Sequence, residues 1–442
     1  MTDLFQAVDA VVPGVCEDLA RLVAIPSVSS MPQHAEDVGA SARYVAELLT
    51  QVGCPDVRIV AEGGQPAVIA RFPAPEGQPT VCLYAHHDVQ PTGDASLWTT
   101  DPFTAQRRGE RLYGRGVADD KGGIGVHLAA LRAFGGKPPV GVTLFIEGEE
   151  EIGSPSLGAI IEAHRDLLSA DAYVIADAVN WRAGEPALTT RLRGMARVMV
   201  EVSTLDHALH SGQFGGVVPD AMMAMVRLLG TLHDADGNVA VSGIEPGVPF
   251  RLDYPSERLR HETGLLEGVE FIGSGGTADR MWTRPSLTVI GMDATPVALA
   301  SNTLAPSARA MIGLRVAPGR DAEAEAEALR VHLETHAPWG AQVTARVLES
   351  GQPGVVASDG PFYEAAAQAL AEAFGVPAVE AGCGGSIPLV AEFQRAFPDA
   401  AILLTAVVDP DSRMHGIDES LHLGDFAKAC RAEALFLTKI AR

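Results

Sequence analysis

The chain has 442 residues, 47% of them hydrophobic and 20% charged, a composition that builds buried cores and excludes a disordered or fibrous protein. At roughly 100–200 residues per domain, this length predicts two or three compact units. A formal charge of -23 at pH 7 argues against nucleic acid and anionic membrane surfaces as partners, because binding to either depends on clustered Lys and Arg.

Five cysteines without a Cys-x-x-Cys pair match neither a disulfide framework nor a sulfur-rich metal site. The opening MTDLFQAVDAVVPG lacks the basic and apolar regions of a signal peptide, and no stretch reaches the roughly 18 apolar residues that span a bilayer. A cytoplasmic location is expected.

In chain order, residues 3–24 and 35–52 carry apolar side chains at helical spacing, the second ending at Gly53. Four apolar runs follow, TVCLYA (80–85), VTLFIE (142–147), AYVIA (172–176) and AILLTAV (401–407). Continuous apolar runs suit strands buried on both faces, as in a parallel sheet covered by helices. The helix-period segment GGIGVHLAALRAFGG lies between the first two runs, so strand, helix and strand alternate as in an α/β layer structure.

From about residue 190 the pattern changes. MARVMVEVSTL (195–205) and ARAMIGLRV (308–316) alternate, which suits antiparallel strands with one solvated face. Helical stretches are expected at 218–230 and 321–336, and a Gly, Pro and polar-rich loop over 234–287. QVTARVLE (342–349) reads as a further strand, and the helix-period residues 361–374 resume the first layer. The predicted fold is a mixed, largely parallel sheet flanked by helices, a catalytic domain formed by 1–189 and 351–442, with a smaller α+β lid or dimerisation domain inserted at 190–350.

Ligands in open α/β sheets collect at the carboxyl ends of strands, and there the apolar runs meet titratable groups. The motifs are HHD (86–88), GRGVADDKGG (114–123), EGEEEIGS (147–154), IADA (175–178) and RMHGIDE (413–419). Singly each has a bland reading, since a lone histidine is more often structural and a triple Glu is usually a charged turn. Together, two imidazoles and three carboxylates make a nitrogen and oxygen ligand set for zinc, and a shared carboxylate suits two ions about 3.5–4 Å apart.

These motifs, with LHSGQFGG (209–216), LRVAP (314–318) and GCGGSIP (382–388), resemble the M20 co-catalytic zinc peptidases: cytosolic dipeptidases, carboxypeptidases and aminoacylases. The resemblance implies two Zn2+ per subunit, with Mn2+ or Co2+ as substitutes. His86 and Asp177 would serve the first ion, Glu151 and His415 the second, and Asp119 both, while Asp88 orients His86 and His87 fills a variable position. Asp120 would be non-ligating, beside a strained peptide bond. The family register E-E-x-G-S makes Glu150 the general base acting on a water between the metals, and leaves Glu149 a bystander.

The same resemblance makes His210 a residue that reaches the partner subunit's reacting centre in a homodimer, and Arg315 the clamp of the substrate's terminal carboxylate. Asn302 and Thr303 stand where the family contacts substrate. Gly385 and Ser386 would offer backbone N–H groups, although Cys383 stands where the family usually has a charged residue. The implied activity is hydrolysis of dipeptides or short peptides with a free C-terminal carboxylate, Asp177 being the residue that dipeptidase-like members carry. The alternative within the family is an N-acyl-amino-acid amidohydrolase or carboxypeptidase. An inactive scaffold is the reading from another class, opposed by suitable chemistry at every matched position.

Overall fold

The structure, a computed structural model, describes residues 2–385 and 388–442. It divides into two compact units, Met1–Thr190 with Val356–Ala381 and Pro388–Arg442, and Arg191–Val355 with Gly382–Ile387.

The first unit is a mixed α/β layer structure around a sheet of order Asp56–Val60, Ala67–Phe72, Gly141–Glu147, Thr80–His86, Ala172–Val179, Ala401–Val408 and Ala187–Leu192. The four strands from Gly141–Glu147 to Ala401–Val408 run parallel; the outer ones pair antiparallel. The strand Gly141–Glu147 is buried throughout, as a strand covered on both faces must be. Along Thr80–His86, Val81, Leu83 and Ala85 point into a core shared with the helices Thr2–Val23, Lys121–Ala133 and Leu423–Lys439. Tyr84 points the other way, where Tyr84, Phe145, Tyr173 and Phe393 of the helix Pro388–Ala396 form a chain of ring contacts. The strict two-residue period of a strand separates these two sets.

Parallel alignment brings strand ends together. His86 lies opposite Glu147 in register, and Asp177 lies near the end of the neighbouring strand Ala172–Val179.

The second unit is built on an antiparallel sheet of order Ser286–Asp293, Ser307–Val316, Gly194–Ser203 and Gln342–Gly351. In Gly194–Ser203 the even residues Ala196, Val198, Val200 and Val202 are buried in a core that also takes Met225 and Leu228 of the helix Ala221–Leu229 and Leu329 and Leu333 of the helix Ala322–Thr335. Asp220 and Asp321 cap these two helices by accepting from Met223 N and Glu323 N, the usual answer to unpaired first-turn amides. The stretch expected as loop, 234–287, holds two short helices, Ser256–Thr263 and Thr277–Trp282. The first has no buried residue, so it lacks the apolar periodicity that reveals a helix in sequence.

Candidate active site

The two histidines at 86 and 87 face opposite ways. His87 Nε2 donates to the carbonyl of Pro66 at 2.9 Å, its own carbonyl accepts from Ser27 Oγ at 2.6 Å, and burial pulls the imidazole down to about 4. It is a neutral framework residue. His86 is completely buried; its Nδ1 lies 3.0 Å from the Asp88 carbonyl and 3.4 Å from Asp88 Oδ1, and its Nε2 lies 3.1 Å from Asp119 Oδ1. Asp88 is itself fixed through Oδ2, which accepts from Ser29 Oγ at 2.6 Å and from Glu151 N at 3.1 Å. A carboxylate behind one ring nitrogen sets the tautomer and aims the other nitrogen outward.

Asp119 is the centre of the arrangement. Oδ1 faces His86, and Oδ2 lies 3.0 Å from Nε2 of His415. His415 also lies 3.3 Å from Glu151 Oε2, is 54% exposed, and takes a left-handed backbone with φ 61°. Glu151 is oriented by Gln90, whose amide nitrogens donate to both carboxylate oxygens. On the other side, ligand atoms of His86, Glu150 and Asp177 lie within 4.8 Å of one another, as do those of His86, Asp119 and Glu151.

The triple-Glu run divides by partner. Glu149 Oε1 accepts from Gln65 N, and Oε2 accepts from Ser156 N and Oγ. It ties loops together. Glu150 Oε2 instead lies 4.0 Å from His86 Nε2, and burial together with Asp177 pushes its carboxyl well above the usual range. Asp177 is raised in the same way, by burial and by Asp119 and Asp120. Burial opposes the charge of Asp119, but hydrogen bonds from His415 and His86 hold it below the ordinary value. His415 is pushed up to about 10 by Asp119 and Glu151.

Four carboxylates and two imidazoles therefore share one corner, buried at His86 and Asp119 and open at His415. The nearest lysine in sequence, Lys121, gives its Nζ to the carbonyls of Leu22 and Ile25. Like-charged carboxylates this close cannot all ionise without cations, and the mixed imidazole and carboxylate donors fit divalent metal. Asp120 stands apart from Asp119 across a cis peptide bond, with Oδ2 accepting from His86 N at 3.3 Å.

Sequence reasoning missed the residue beneath this corner. Glu419 is fully buried and accepts four bonds: Arg115 Nη1 at 2.7 Å and Gly116 N at 3.0 Å on Oε2, Ala118 N at 3.0 Å and Asp119 N at 3.1 Å on Oε1. It holds the loop that presents Asp119. Its signal was the pairing of MHGIDE with GRGVAD, two motifs whose charged residues, Glu419 and Arg115, had been assigned no task.

In the second unit, Leu209–His210 pairs with Thr303–Leu304, and His210 is the register partner of Thr303. Both are exposed. Asn302 lies beside them, its carbonyl accepting from Ser211 N. Arg315, on Ser307–Val316, is opposite Ser286 on one side and Met195 on the other. The Gly385 amide donates to Cys383 Sγ at 3.4 Å; Ser386 lies outside the described residues.

A family described as Peptidase family M20/M25/M40 matches residues 82–439. The chain belongs to peptidase family M20. It is 35% identical to a cysteinylglycine-S-conjugate dipeptidase of Corynebacterium striatum over 96% of this chain and 94% of that one. It is 28% identical to a Cys-Gly metallodipeptidase of Saccharomyces cerevisiae, covering 99% of this chain and 97% of the relative. A solved dipeptidase structure from the same yeast superposes with TM-score 0.85 at 26% identity, covering 100% of this chain and 98% of that one. As an M20 member the chain is a hydrolase, and its acidic corner fits the divalent metal that the family implies.

Proposed function

We propose that this M20 hydrolase is a two-metal dipeptidase, cutting the amide bond of dipeptides or short peptides that end in a free carboxylate. The observation that carries the reading is Asp119, which turns one oxygen toward each of two imidazoles, at 3.1 Å from His86 and 3.0 Å from His415. Such a carboxylate would serve two cations, one held by His86 and Asp177 and the other by Glu151 and His415, and the close grouping of His86 with Glu150 and Asp177 and with Asp119 and Glu151 supports this. Zinc suits these donors, and manganese or cobalt would be accommodated by the same oxygen-rich set. Two divalent cations bound there would supply Lewis acidity, acidifying a water and polarising the scissile carbonyl.

The chain's own residues do the rest. Asp88 holds His86 in one tautomer. Glu150 takes a proton from the attacking water and delivers it to the leaving amine, a task that a carboxyl raised toward neutrality performs best. Arg315 binds the terminal carboxylate, since a planar guanidinium forks onto both oxygens. Thr303 and the loop at Gly385 and Ser386 complete substrate contacts. His210 assists from a partner subunit. Support for a homodimer comes from the second unit, where the edge strand Ser286–Asp293 exposes Val289, Ile290 and Met292, and the helix Ala221–Leu229 exposes Met223 and Val226. Among the described residues no helix is long and apolar enough to cross a membrane, in keeping with a cytoplasmic enzyme.

The test is hydrolysis of a dipeptide panel beside N-acetylated and N-succinylated amino acids, after metal removal and controlled reloading. Preference for free amino termini supports the reading; preference for acylated substrates makes the chain an N-acyl amidohydrolase. Glu150→Gln is expected to keep its metal and lose about 100- to 10,000-fold in kcat. Loss of metal in that variant would make Glu150 a ligand instead.

A further inference from the structure

Among the described residues, the second unit contains a cation, Arg193, with no acidic hydrogen-bond or ion-pair partner. Arg193 immediately precedes the strand Gly194–Ser203, and its outward phase matches Met195. Met195 is the cross-strand neighbour of Arg315, and Arg315 is the neighbour of Ser286. Arg193 Nη1 reaches that same Ser286, donating to its Oγ at 3.2 Å. The two guanidinium-bearing residues thus belong to one end of one sheet face.

Every hydrogen bond Arg193 makes among the described residues goes to a neutral group. Nη1 also donates to the carbonyl of Arg284 at 3.4 Å, and Nε donates to the carbonyl of Gly384 at 3.1 Å. The nearby Asp279 is engaged elsewhere, accepting from Arg284 Nε at 2.7 Å and from the Thr283 hydroxyl. Burial, and then the charge of Arg315, pull the Arg193 guanidinium down to about 10, opposed only by the Cys383 thiol. Gly384 is shaped around the group, because a Cβ there would stand 3.0 Å from Arg193 Nη2. Two half-buried cations that repel one another form a charge pattern that an anion completes.

We propose that Arg193 is a specificity-determining partner of Arg315: the two guanidiniums form one anchor, filled by the terminal carboxylate of the peptide. The inference rests on the dipeptidase reading, which already gives Arg315 a carboxylate. It adds that a single arginine is insufficient, and that the loop at Gly384 exists to hold the second.

The experiment compares wild type, Arg193→Gln, Arg193→Lys, Arg315→Gln and the Arg193→Gln/Arg315→Gln double variant, all metal-loaded, on a dipeptide and its C-terminal amide. Arg193→Gln should lower kcat/KM for the free acid about 10- to 100-fold, the effect of losing a charge-assisted hydrogen bond. The amide should change little, and Arg193→Lys should recover part of the loss. Because the pair acts as one anchor, the double variant should fall short of the product of the two single effects. Equal loss on acid and amide, or fully multiplicative effects, overturns the proposal and leaves Arg193 a framework residue. Calorimetric titration of metal-free protein with N-acetylglycine and N-acetylglycinamide separates this from the catalytic reading. Carboxylate-selective binding that Arg193→Gln abolishes upholds the anchor even if no dipeptide is cut, and binding that ignores the carboxylate or Arg193 defeats it even if dipeptides are hydrolysed. Should Arg193→Gln fail to fold, the Arg193→Lys variant carries the same comparison, with unchanged carboxylate binding as the contrary result.

Discussion

Glu419 provides the sharpest link between folding energy and the active corner. It is fully buried, pairs with a nearly fully buried Arg115 at 2.7 Å, and takes three backbone amides of the segment 116–119. Glu419→Ala removes the anion and strands both the guanidinium and those amides. Breaking a buried pair from one side costs about 3–5 kcal/mol, because the remaining charge stays desolvated. At roughly 2–4 °C per kcal/mol for a large domain, thermal unfolding should fall by about 6–20 °C. Glu419→Gln separates charge from shape, since it keeps one accepting oxygen and turns an NH2 group toward donors. It should lose nearly as much stability, and activity should drop with it because Asp119 loses the bond to its backbone amide. The assay is calorimetric unfolding of metal-free and metal-loaded protein. Burial pushes the Glu419 carboxyl up while Arg115 opposes it, so a Gln variant within about 1 kcal/mol of wild type would mean that the group is carried neutral and that the argument from charge is wrong.

Further outcomes follow from other contacts. His127 places Nδ1 against both Glu433 oxygens, at 3.0 and 2.8 Å, and gives Nε2 to the Tyr84 carbonyl at 3.0 Å. Burial opposes the charge, yet Glu433 and these bonds raise the imidazole above its ordinary value. The stabilisation is therefore complete below the unfolded value of about 6.5 and lost as pH rises through the raised folded value. The difference in melting temperature between wild type and His127→Gln should shrink as pH rises from neutral to alkaline; a growing difference would refute the charged pair. Gly148→Ala would set a Cβ 2.4 Å from the Pro66 carbonyl and 2.9 Å from the His87 ring. It should destabilise by about 1–3 kcal/mol, and an unchanged denaturant midpoint would contradict that packing. Chelation should lower the melting temperature reversibly, metal at about 100 times its Kd restoring about 2.7 kcal/mol; no shift would mean that the acidic corner tolerates its own charge.

Much of the fold was legible because buried parallel strands leave long apolar runs, and 80–85, 142–147, 172–176 and 401–407 lie in strands Thr80–His86, Gly141–Glu147, Ala172–Val179 and Ala401–Val408. The outer strands Asp56–Val60 and Ala67–Phe72 escaped, the first being short and largely unburied and the second having its apolar run broken by Arg71. At the candidate site the sequence showed which residue types gather at strand ends, since strand order alone brings them there. Residue type alone did not show how neighbours divide their tasks, which only the register of the resembled family assigned. His86 and His87, or Glu149 and Glu150, differ only in which way the side chain leaves the strand end and what it meets: Pro66 for one histidine, Gln65 and Ser156 for one glutamate. The supports Ser29, Gln90, Arg115 and Glu419 carry no local pattern, because each acts through a contact distant in sequence.

The measurement that bears most directly on the proposed pair of metals is anomalous diffraction at the zinc edge from zinc-saturated crystals. Two peaks are predicted about 3.5–4 Å apart, one beside His86 and Asp177 and one beside Glu151 and His415, each next to a different oxygen of Asp119. A single peak at saturating zinc, or peaks remote from Asp119, would contradict the account.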